Sequence, residues 1–98
     1  MEISKIQEAN AMSLALTGRL DTTTAPQLEA ELQNSIEGIT DLKFDFAKLE
    51  YISSAGLRVL LAAQKTMNKQ GKMTICNVCA DIMEVFEITG FADILTIQ

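Results

Sequence analysis

LKFDFAKLEYISSAGLRVLLAAQKTMNKQG, residues 42–71, holds the two periodicities that decide the fold. Leu42, Phe44 and Phe46 alternate with Lys43 and Asp45, which predicts a strand with three apolar side chains on one face. From about Ser54 the period changes. Leu57, Leu60, Leu61 and Met67 recur at helical spacing, while Arg58, Lys65 and Lys69 share another face. A helix is expected from Ser54 to Gln70, stopped at Gly71. A strand handing over to a long helix is half of a crossover unit, the building block of a parallel sheet.

The flanks extend this pattern. Met12, Leu14 and Leu16 alternate with Ser13, Ala15 and Thr17, which predicts another strand. Ile3–Ile6 is a weaker one, joined to it by a turn at Asn10-Ala11, so the two are expected to pair as a hairpin-like entry. Gly18 allows a bend before Leu20-Asp21 and the polar run Thr22-Thr23-Thr24. Thr24 is a candidate N-cap, with Pro26 in the first turn and Gln27 three residues on. Leu28, Leu32 and Ile36 then mark a helix that Gly38 would end. Downstream, Met73–Cys76 reads as a strand, Ala80–Thr89 as a helix closed by Gly90, and Ile94–Ile97 as a last short strand. The order β-β-α-β-α-β-α-β predicts one α/β domain over residues 1–98. Its sheet would be mixed but largely parallel, with four to five strands and helices packed over it. Met67, Met73, Met83, Phe86 and Phe91 are expected to fill the core.

Composition removes most chemistry. The chain has 98 residues and no histidine, which excludes Ser-His-Asp and Cys-His catalysis and His-containing zinc sites. Two cysteines do not complete a four-ligand zinc site. Neither GxxxxGK[ST] nor GxGxxG occurs. Most familiar chemistries thus lack a necessary part, although an enzyme remains possible on composition alone; no cofactor or metal is expected. The net charge of −5 disfavours direct contact with nucleic acid and with anionic membranes. Met1-Glu2-Ile3-Ser4-Lys5 lacks the basic-then-apolar pattern of a signal peptide, and Val59–Ala63, the densest apolar stretch, is too short to span a bilayer. A cytoplasmic protein with no membrane insertion is expected.

Two segments carry candidate function. Ser53 and Ser54 fall where the central strand meets its helix, facing free backbone N–H groups and the positive end of the helix dipole. Capping is the commonest role of such a serine. The same place also accommodates a phosphate, which adds about −1.5 to −2 charges. Arg58, one helical turn after Ser54, is either a solvated helix-face residue or a hydrogen-bond donor to such a phosphate. The second segment is Cys76-Asn77-Val78-Cys79, a C-x-x-C between a strand and a helix, which raises a dithiol oxidoreductase as an alternative. A redox motif needs its first cysteine exposed at a helix N-terminus, whereas Cys76 is expected in or at the end of its strand.

The run DFAKLEYISSAGLRVLL, residues 45–61, resembles the phosphorylation-site segment of the anti-sigma factor antagonists of the STAS domain family. That segment is an apolar strand, an apolar pair, and then Asp-Ser-Ser/Thr/Ala-Gly-Leu. Leu16–Asp21 is similar to the family's L-x-G-x-h-D turn (h, apolar), and Thr89-Gly90-Phe91 to its late T/S-G-h. The resemblance covers essentially the whole chain. It implies that Ser54 is the phosphorylated serine, with Ser53 standing in place of the family's Asp as the second candidate. It implies a partner-facing surface of Asp21, Thr22 and Thr23 from the early turn. Ser53, Ser54, Ala55, Gly56 and Arg58 would complete that surface. The implied partners are an anti-sigma factor serine kinase of GHKL type, bound by the unphosphorylated form so that a sigma factor is released, and a PP2C-like phosphatase that reverses the modification. Related domains also serve transporters and stress-signalling assemblies. A STAS subunit of a lipid or solute ABC transport complex, or of a stress-signalling complex, is therefore the second expectation.

Overall fold

Apolar alternation becomes strand, and apolar spacing of three and four becomes helix. The computed structural model describes residues 1–98. It contains β1 (Glu2–Glu8), β2 (Ala11–Leu20), α1 (Ala25–Ser35), β3 (Asp41–Ile52), α2 (Ser54–Gln70), β4 (Lys72–Cys76) and α3 (Ala80–Thr89), then a 3-10 turn at Phe91–Asp93. The four strands form one sheet in the order β1-β2-β3-β4. β1 and β2 pair antiparallel as the expected hairpin, and β2–β3 and β3–β4 are parallel through the α1 and α2 crossovers.

Every strand of the parallel part presents one apolar face. Met12, Leu14 and Leu16 of β2, Leu42, Phe44 and Phe46 of β3, and Met73 and Ile75 of β4 are all buried. They join Leu28 and Leu32 of α1, Leu60 and Met67 of α2, and Ile82 and Phe86 of α3 in a single core of 23 buried residues. Phe44 and Phe46 meet edge to face at 6.1 Å, and Phe46 reaches Phe86 at 6.5 Å between ring centroids. Burying such side chains stabilises by about 1.5–3 kcal/mol each. The opposite face of the sheet, with Ser13, Ala15, Lys43, Asp45 and Thr74, carries no helix and is mostly polar, charged or small, apart from the exposed Ile6 of β1.

Three expectations need correction. The last strand shrinks to a single parallel bridge between Ile75 and Ile97. The 3-10 turn and the inward-turned, buried Leu95 use up most of that segment, leaving two backbone bonds, Ile75 N–H to Thr96 O at 2.9 Å and Gln98 N–H to Ile75 O at 2.8 Å. The sheet therefore has four strands and the order is β-β-α-β-α-β-α. Secondly, Thr24 makes no side-chain cap to α1. Its hydroxyl turns back instead, donating to the Arg19 carbonyl at 2.8 Å and accepting from the Asp21 N–H at 2.8 Å. Thirdly, α1 stops at Ser35 with Ile36 as its cap, and Gly38 (φ +81°) serves the turn beyond.

The central strand is longer than its alternation suggested. β3 runs on to Ile52 through two irregularities opposite Ala15–Thr17 and Gly18–Arg19 of β2. Each inserts one extra residue in β3, so its buried positions move from Phe46 to Leu49 and then to Ile52. The Asp45 carboxylate accepts the Ala47 N–H at the first bulge at 3.0 Å, and the Asn77 amide also donates to it at 3.0 Å. Those bonds hold Asp45 below the usual carboxylate range, the Asn77 amide contributing most. At the other end of α2, Gly71 has an extended backbone. A Cβ there would run into the Thr40 carbonyl, which accepts the Lys72 N–H at 2.9 Å, so close approach is what calls for glycine.

Candidate functional site

The parallel ladder delivers two chain segments to one end of the sheet. The Ser53 N–H donates to the Leu20 carbonyl at 2.9 Å, continuing the β2–β3 pairing beyond the last strand residues. The Asp21–Thr24 turn and the start of α2 are thereby neighbours. Gly56 lets them close up, because a Cβ on it would stand 2.7 Å from Leu20 Cγ and 2.9 Å from Ile52 Cγ1. Thr22, Ala55 and Arg58 line one shallow cavity of about 230 Å³ together with Pro26 and Glu29.

The two serines differ. Ser53 is the N-cap residue of α2, with extended backbone, yet its hydroxyl makes no cap hydrogen bond. Its Oγ is buried and has no hydrogen-bond partner. Ser54, the first residue of the helix, is exposed. The capping role open to either residue is thus taken by neither side chain. The first helical bond is the Leu57 N–H to the Ser53 carbonyl, at 3.0 Å. Arg58 is exposed one turn further on and forms no ion pair.

Asp21 is tied into its own turn. Its Oδ1 accepts from the Thr23 hydroxyl at 2.7 Å, the Thr23 N–H at 3.0 Å and the Thr24 N–H at 3.2 Å. The Thr23 hydroxyl foremost holds the Asp21 carboxyl below its ordinary range. Asp21 therefore shapes the loop that presents Thr22 and Thr23, both of them exposed. Sequence reasoning missed Arg19 and Tyr51. The Arg19 guanidinium lies over the Tyr51 ring at 4.1 Å and 3.7 Å from the Asp21 carboxylate, walling the site on the strand side. The pairing of Arg19 with Tyr51 follows the second irregularity in the ladder, so only the register reveals it.

Cys76 and Cys79 lie elsewhere. Cys76 ends β4 and pairs in register with Asp45, seven residues before Ile52 and so roughly 20 Å along the strand from Ser53. Cys79 is the N-cap of α3. The second cysteine thus holds the helix N-terminus that the first would need, and both are free thiols. The geometry gives the dithiol alternative no support. No helix is long and apolar enough to cross a membrane.

The chain is similar in sequence to several curated proteins and in fold to several solved structures. Over 84 residues the chain is 40% identical to BtrV of Bordetella bronchiseptica, named as an anti-sigma factor antagonist, which covers 84% of this chain and 72% of BtrV. It is 30% identical over 93 residues to the anti-sigma-B factor antagonist of Bacillus subtilis, covering 94% and 85%. Among solved structures, SpoIIAA in its unphosphorylated form superposes with a TM-score of 0.78 at 18% identity, covering 99% of this chain and 87% of SpoIIAA. The phosphorylated form of the Bacillus protein gives 0.77. The family model described as STAS domain matches residues 2–98, and this chain belongs to that family.

Proposed function

We propose that this protein is an anti-sigma factor antagonist switched by phosphorylation of Ser54. Unphosphorylated, it binds an anti-sigma factor serine kinase of GHKL type and so releases a sigma factor. The kinase modifies Ser54, and a PP2C-like phosphatase restores the binding form. The protein acts as ligand and substrate in the cytoplasm, not as catalyst.

The observation that carries this reading is the contrast between the serines: Ser54 is exposed at the first position of a 17-residue helix, whereas the Ser53 hydroxyl is buried. A kinase reaches the first and not the second. A phosphate on Ser54 meets the free N–H groups and positive dipole of α2, so the fold tolerates it. It also places about −1.5 to −2 charges beside Thr22 and Asp21, on the surface a partner would cover. A tenfold loss of affinity needs only ~1.4 kcal/mol. The names of the BtrV and Bacillus relatives, and the existence of SpoIIAA in both phosphorylation states, support the same reading.

The test is affinity capture from host lysate with Ser54→Ala and Ser54→Asp as paired baits, read by mass spectrometry. A GHKL-type kinase held by the Ala bait and lost from the Asp bait is expected. Wild type and Ser53→Ala should both be phosphorylated by that kinase, and Ser54→Ala should not. Transporter subunits held equally by both baits would replace this function with the transport reading.

A further inference from the structure

The helix that begins at Ser54 is electrically unlike the rest of the chain. α2 contains Arg58, Lys65 and Lys69 and no acidic residue. Of the 8 cations and 13 anions in the sequence, these three leave five cations against all thirteen anions, so +3 sits on α2 and −8 elsewhere. At about 100° per residue the three side chains form one stripe along the helix. All three are exposed, and no ion pair engages them.

Beside this stripe runs a groove between α1 and α2. Its upper part is the cavity next to Ser54 already described. It continues for about 270 Å³ over Leu32, Ile36, Ala62, Ala63 and Thr66. Glu29 and Val59 line both parts, so the two adjoin end to end. From Ala55 to Thr66 the α2 wall measures roughly 16 Å, three turns of a helix laid alongside it. The floor is apolar or small, and the α1 wall adds Pro26, Glu29 and Gln33.

We propose that this groove docks an amphipathic helix of a partner protein, its apolar stripe entering between α1 and α2 and its acidic flank lying along Arg58, Lys65 and Lys69. Helices seat in such grooves through apolar anchors at i, i+3 or i+4, and i+7, and three turns accommodate that set. Arg58 on the groove's rim and the two lysines that continue its stripe outside the groove select the acidic flank, and Glu29 opposite disfavours acid on the other side. A nucleic acid or an anionic lipid surface meets the same three cations. It also meets the −8 on the remainder of the molecule and makes no use of an apolar floor. The inference does not depend on modification of Ser54.

The test titrates the full chain, observed by ¹⁵N–¹H NMR at low salt, with a synthetic amphipathic peptide of about 18 residues carrying Leu at those spacings and Glu along one flank. A matched peptide carries Lys in place of Glu. Binding of the Glu peptide should shift the amides of Gln33, Ala62 and Thr66. Lys65→Glu/Lys69→Glu should weaken that binding by about tenfold and improve binding of the Lys peptide. The substituted positions are exposed, and an unchanged Tm will show that the variant is folded. Absence of shifts at about 1 mM peptide, equal affinity for both peptides, or shifts confined to the open sheet face would overturn the proposal. So would co-sedimentation with phosphatidylglycerol vesicles that the double variant abolishes while neither peptide is preferred, which assigns the stripe to lipid.

Discussion

Gly56 marks a close contact between the sheet and the helix that carries the candidate site. Its position leaves no room for a methyl group against Leu20 and Ile52. Gly56→Ala is expected to force those side chains from their places and lift the first turn of α2. Overpacking of this kind typically costs about 1–3 kcal/mol. Urea denaturation should show a lower midpoint with an unchanged slope; an unchanged midpoint would mean that Leu20 moves aside freely. At this scale the sequence was informative about type and silent about environment. The family pattern singled out Ser54, and helix-start chemistry singled out the pair. That one hydroxyl is covered and the other free depends on how α2 sits on the strand ends, which no local pattern encodes. The Arg19–Tyr51 stack was hidden for a related reason, since its two members lie 32 positions apart in the chain and meet only through the ladder.

Among the elements, β3 shows where period reading stops. Leu42, Phe44 and Phe46 alternate and were legible. Beyond them the apolar residues come every third position, at Leu49 and Ile52, because each bulge adds a residue to one strand only. Such spacing matches neither strand nor helix. α2 and α3 were legible to their ends, with Gly71 and Gly90 as stops, Gly90 in the left-handed region at φ +82°. The C-terminal run misled because β-branched residues there suggest a strand, while Leu95 is used as a core plug. Leu95→Ala is accordingly expected to destabilise by about 2–5 kcal/mol, as for other buried leucines. A loss below about 0.5 kcal/mol by chemical denaturation would reduce the segment to a loosely attached tail.

Across the molecule, the alternation in β2 and β3 fits the one-sided sheet that the structure shows. Parallel strands covered on both faces read as unbroken apolar runs, and these do not. All three helices occupy one side. Two carboxylates, Asp45 at the first bulge and Asp21 at the candidate site, have folded-state pKa values below their unfolded ones. Their stabilising contribution is complete above the unfolded value of about 3.9 and is lost as pH falls through the folded value. Stability is therefore expected to decline on acidification below about pH 4, and Asp45→Asn to decline less steeply there, since that residue no longer titrates. Urea midpoints measured across the acid range decide this; parallel curves for the two proteins would remove Asp45 from the account.

The hydrogen bond from Ser53 to Leu20 has a kinetic meaning. It hangs a loop and a helix start from one stiff pair of strands, so the surface they form has its shape before any encounter. Little conformational freedom is left to lose on this side when a complex forms. Encounter with the proposed partner is then governed by diffusion and charge, so a substitution at exposed Arg58 is expected in the association rate and one at Thr22 or Ser54 chiefly in how long that partner stays.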